Sequence, residues 1–125
     1  DVGHGTSAFC FNVAQTAIVD GFLPDTVSTD LQRFHINQAA RHDLPLVMSE
    51  LRAAGMPENE VFAAVTSKPA RLLKLDDSGV LRANAAADIT VLQDSHGGQF
   101  VDVNGQSCVG TLWTSTLVVR GGRVI

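Results

Sequence analysis

Residues 25–30 read DTVSTD, and the fold class turns on this run. Thr26, Val27 and Thr29 are β-branched, and such residues favour extended backbone. The expectation is a short strand, TVST, that delivers Asp30 at its carboxyl end. Upstream, residues 1–5 read DVGHG, a second short run ending in a group able to do chemistry, His4. Between the two, Phe9, Val13, Ala14, Ala17 and Ile18 recur at helical spacing, which predicts a helix over 7–22. Gly21 is placed to stop it, since helix ends commonly need a residue tolerant of positive φ. Strand, helix, strand is the unit from which parallel sheets are built.

Downstream of Asp30 the segment LQRFHINQAARHD, residues 31–43, is polar and poorly periodic, and loops of that length are often functional. Helical signals resume at LPLVMSELRAAG, with Pro45 acceptable in a first turn and Gly55 as a terminator. A further helix follows in MPENEVFAAVTSKPARLLKL, with Pro57, Glu58 and Glu60 near its positive end. Pro69 is expected to break it and to start a second short helix through Ala70, Leu72 and Leu73. From about residue 79 the apolar residues fall into β-like runs: GVL, DITVL, FVDV, TLVV and RVI. Gly97-Gly98, Asn104-Gly105 and Gly121-Gly122 read as the turns between them.

Composition excludes more than it selects. The chain of 125 residues suits one domain by length, and an apolar share of 45% suffices for a core. A net charge of −4 with scattered Lys and Arg argues against a nucleic-acid partner. No apolar run reaches the roughly 18 residues of a membrane span, and no signal peptide is readable. Cys10 and Cys108 lack metal-ligand spacing and read as two buried thiols of a cytoplasmic protein, with a disulfide or a catalytic thiol as the alternative.

One strand–helix–strand unit, several helices and a β tail do not close a parallel sheet, because both edges and much of both faces stay bare. The pattern reads as the last part of a larger α/β protein. DVGHG, then GFLPDTVSTDL, then DLPLVMSELRAAGMPENEVFAAVTSKPARLLKL and GVLRANAAADITVLQ together resemble the C-terminal part of the amidohydrolase superfamily, in its dihydroorotase-like and deacetylase branch. The resemblance implies the last two β/α units of a (β/α)8 TIM barrel followed by a small C-terminal β-sandwich segment. Residues 1–78 would then belong to the barrel and 79–125 to the sandwich, with the missing N-terminal part of the same protein supplying the rest.

The resemblance also assigns chemistry. Asp30 falls where the superfamily places the aspartate that binds metal and handles the proton of the attacking water. By residue type alone, an Asp after a strand more commonly caps the next segment. His4 and Gly5 would lie at the barrel mouth and contact substrate, against the plainer reading of a turn. Gln32 stands where the family often has His, which bears on substrate preference. Ala83-Asn84 stands where it has a Pro-Gly turn, and Asn can adopt the positive φ that such a turn requires.

The other candidates read as structural. His35 and His42 are irregularly spaced loop residues and are expected to be solvated, and His96 is expected in a turn. Met48, Met56 and Trp113 are expected to pack, and Lys68 and Arg71 to be solvated charges. The function implied is hydrolysis of an amide, cyclic amide or acetyl ester bond of a small molecule, using one or two divalent metal ions, zinc foremost. The other metal ligands would lie outside this chain, so the fragment alone is expected to be inactive. Superfamily members often associate, so a homo-oligomer is among the expectations. The alternative is a non-catalytic, barrel-derived binding or assembly module.

Overall fold

The computed structural model describes residues 8–33 and 42–125. Helix α1 runs Phe11–Val19, α2 Leu44–Ala53, α3 Glu58–Val65 and α4 Ser67–Leu72. Strands β1 (Ile89–Val101), β2 (Ser107–Arg120) and β3 (Arg123–Val124) form one antiparallel sheet in the order β1-β2-β3. Among the described residues no helix is long and apolar enough to cross a membrane.

The helices start and stop where their caps dictate. Asp43 accepts the Leu46 N–H at 2.9 Å and begins α2, with a proline in its first turn. At its other end the Gly55 N–H reaches Arg52 O and the Met56 N–H reaches Leu51 O, closing the last turn. The positive φ of 106° at Gly55 makes that closure possible, and buried Met56 anchors it. Gly21 ends α1 the same way, through Gly21 N–H to Ile18 O and Phe22 N–H to Ala17 O. Thr66, at φ −128° and ψ −87°, breaks α3 from α4, three residues before Pro69.

One core joins the helices to the hairpin. Val47, Met48, Leu51 and Ala54 put one face of α2 against Phe100 and Trp113 of the sheet, with Val61 and Ala64 of α3 beside them. The Trp113 ring lies 5.0 Å from that of Phe62 and has the Arg52 guanidinium 5.0 Å above it. Buried Ser49 accepts the Trp113 backbone N–H at 2.9 Å and donates to Pro45 O, so its hydroxyl is paired on both sides.

Several local expectations change. TVST forms no strand: a β-branched run becomes a ladder only opposite a partner, and among the described residues none lies beside it. GVL is likewise irregular. Gly97-Gly98 lies inside β1, at a slip in register between Ser95 and Gly98, and His96 sits in that strand rather than in a turn. A bulge and a turn draw on the same glycine tolerance for positive φ, so the sequence signal is shared. Helix α1 begins at Phe11 rather than near residue 7, because the Phe9 carbonyl accepts the Val103 N–H at 3.1 Å instead. Cys10 and Cys108 are free and half-buried, not buried. Lys68 is paired with Glu60 at 2.8 Å rather than solvated.

The Ala83-Asn84 turn survives the loss of Pro-Gly. The Ala85 N–H reaches Arg82 O at 3.2 Å, and Asn84 takes φ 66°. Positive φ at the third position is what a type II turn requires.

Candidate functional site

The segment that carries Asp30 is positioned by α3. After Gly21 turns the chain away from α1, Leu23 and Val27 pack against the core, and the Val27 N–H donates to Ala64 O at 3.1 Å. Thr29 and Asp30 follow directly and are half-buried. Thr29 Oγ1 accepts the Leu31 N–H at 3.1 Å.

The backbone of Asp30 is unusual. Its φ is 53°, in the left-handed region that side chains other than glycine seldom enter, although Asp and Asn tolerate it best. Among the described residues Lys74 and Asn84 share the property, and each has an ordinary reason. Lys74 ends α4, where the Leu75 N–H reaches Ala70 O, and Asn84 sits in a backbone-closed turn. Asp30 lies at neither a helix end nor such a turn. Residues held in this conformation concentrate at functional sites. No described hydrogen bond or ion pair engages the Asp30 carboxylate.

His4, Gly5 and His35 lie outside the described residues. His42 is half-buried directly before the Asp43 cap of α2. Among the described residues, no three His, Cys, Asp or Glu side chains come together as a metal-binding group. Asp30 is therefore one candidate donor and not a complete site. A cleft of about 510 Å³ opens between α2, α3 and the start of β1, lined by Leu44, Met48, Phe62, Val65 and Leu92, and Asp30 is not in it.

A second acidic group, unremarked in the sequence, proves structural. Buried Asp102 follows β1, accepts the Asn104 and Gln106 N–H groups on one oxygen and the Phe11 N–H on the other, each at 2.9 Å. It thereby ties the hairpin turn to the start of α1. Burial raises its pKa, but the donors Phe11, Gln106 and Asn104, with the Cys10 thiol, outweigh burial and hold it below the ordinary carboxylate value. The DVNG sequence at 102–105 signals a turn, but not that its Asp also caps a helix 91 positions away.

Known proteins resemble this chain at both levels. A deacetylase of Agrobacterium fabrum is 42% identical over 91 residues, which is 73% of this chain and 22% of the relative. A deacetylase of Brucella anthropi is 41% identical over the same length, again 22% of that protein. In three dimensions, a crystal structure of an adenine deaminase matches 98% of this chain with a TM-score of 0.83 and 30% identity. A dihydroorotase structure matches the same share with a TM-score of 0.81 and 35% identity. The chain belongs to the amidohydrolase superfamily. No family model matches it. This amidohydrolase chain spans about a fifth of the curated relatives' length and a third of each matched structure, 34% and 33%. Its α/β fold is that of the superfamily members it overlays.

Proposed function

We propose that this chain is the C-terminal part of a metal-dependent amidohydrolase, with Asp30 as its proton shuttle. The substrate would be a small molecule carrying an amide, cyclic amide or acetyl ester bond. The observation that carries the reading is the identity of 42% with a deacetylase, in a chain that also overlays a deaminase and a dihydroorotase. The superfamily's reaction, in this reading, is attack by water on a carbon that bears a leaving group.

Asp30 suits the shuttle role. Its carboxylate is half-buried and uncommitted to any described partner, so it can take the proton of the attacking water and return it to the leaving nitrogen or oxygen. A divalent metal, when bound, lowers the pKa of a coordinated water toward about 7. As a partly exposed oxygen donor, Asp30 fits one ligand position for such an ion. Catalytic zinc takes about three protein ligands, so the others would come from sequence outside this chain. His4 and Gly5 would contact substrate.

In the same reading, residues 1–78 are the end of a (β/α)8 barrel and 79–125 a sandwich segment. Two features support it. Val13, Val19 and Phe22 are 68%, 85% and 75% exposed on and just after α1, apolar surface that more of the protein would cover. Strand β1 has a neighbour on one side only among the described residues, leaving a 13-residue edge to be paired.

The test is metal content and metal removal in the full-length protein. About one or two equivalents of zinc or a similar ion are expected. Hydrolysis of acetylated and cyclic amide substrates should be lost on chelation and regained on adding metal. A metal-free protein whose hydrolysis ignores chelators would overturn the metal-dependent reading.

A further inference from the structure

We propose that Thr29 is a positioning residue for Asp30, an inference that rests on the shuttle role proposed above. The left-handed backbone at Asp30 needs something to hold it, since a non-glycine residue released from constraint returns to the extended or right-handed region. On the upstream side the chain is fixed by the Val27 N–H on Ala64 O, 3.1 Å long. On the downstream side the Leu31 N–H donates to Thr29 Oγ1, also at 3.1 Å.

That second bond encircles Asp30. A Ser or Thr side chain that accepts the N–H two residues ahead replaces the first peptide of a β-turn. In such a turn Thr29 occupies the second position and Asp30 the third. The third position of a type II turn is the one with positive φ, and Asp30 has φ 53°. The Thr29 hydroxyl thus does for Asp30 what a backbone carbonyl does for Asn84, whose turn is closed by Arg82 O.

The consequence is an aim for the carboxylate. Loss of the Thr29 oxygen would let φ of Asp30 swing out of the left-handed region, which rotates the Cα–Cβ bond and carries the carboxylate off its position. A misplacement of about 1 Å in a reacting group can cost roughly 100-fold in rate. Thr29 need not touch substrate for this to matter.

The experiment uses the full-length, metal-loaded enzyme with Thr29→Ser, Thr29→Ala, Thr29→Cys and Asp30→Asn. Ser keeps the acceptor oxygen, Ala removes it, and Cys keeps the shape but is a weak acceptor. Ala and Cys should each lower kcat by about 10–100-fold with KM within about 3-fold, while Ser stays within about 3-fold on both. Ala and Cys should also surrender metal at a lower chelator concentration than the parent, and Ser should not. Should Thr29→Ala fail to fold, the comparison of Cys with Ser reads the same oxygen. Equal rates in Ser, Ala and Cys, with Asp30→Asn inactive, would overturn the role of Thr29 alone. Parental turnover in Asp30→Asn would overturn the shuttle and the positioning role together.

Discussion

Around Trp113 the chain is fixed by packing: the residue is 2% exposed, its ring lies against Phe62 and beneath Arg52, and its backbone N–H is held by Ser49. Around Asp30 the hydrogen bonds that hold the chain include one from the Val27 N–H to Ala64 O of α3 and one from the Leu31 N–H to the neighbouring Thr29 Oγ1. The first region places many apolar groups out of water and tolerates little change. In the second, the bond onto Thr29 bears on the conformation of one residue. In the proposed reading, stability and chemistry therefore reside in different parts of the molecule, and substitutions in each should report differently.

Removal of the Trp113 side chain gives the sharpest expected loss of stability. Trp113→Ala leaves a cavity between α2, α3 and the sheet, a change that costs about 3–5 kcal/mol in buried aromatic sites. Thermal unfolding of the full-length protein should shift down accordingly, while kcat per folded molecule stays near the parent's. A variant with parental thermal stability and a collapsed kcat would break the separation.

A smaller effect, dependent on pH, is expected at Asp102. Its folded pKa lies below the ordinary value, so its contribution to stability is present at neutral pH and fades as pH falls through that depressed value. The parent should lose stability on acidification below about pH 4. Asp102→Asn should be less stable at pH 7, because an amide nitrogen would face one set of backbone donors, and flatter across the acid limb. Thermal midpoints measured from pH 7 to pH 3 would check this; identical slopes for both proteins would remove Asp102 from the account.

Much of the first region was legible in the sequence, and little of the second. Pro45 and Gly55 marked α2, and Pro57 and Pro69 marked α3 and α4, because breakers and terminators act over a few residues. The β character of the tail was legible from its runs, yet Gly97-Gly98 proved a bulge because local sequence does not say whether a ladder resumes. The start of α1 was set by contacts of Phe9 and Phe11 with residues 102–103, far away in sequence. TVST carried strand propensity, and propensity alone makes no ladder. The role proposed for Asp30 was legible only through resemblance. Its positive φ was not, since that depends on the Thr29 hydroxyl turning back onto Leu31.

The central claim, that Asp30 moves the proton, is tested most directly by Asp30→Asn in the full-length enzyme. Turnover should fall by at least about 1,000-fold, since an amide cannot carry the proton between water and leaving group, while the thermal midpoint stays within about 2 °C of the parent. Turnover equal to the parent's would contradict the account.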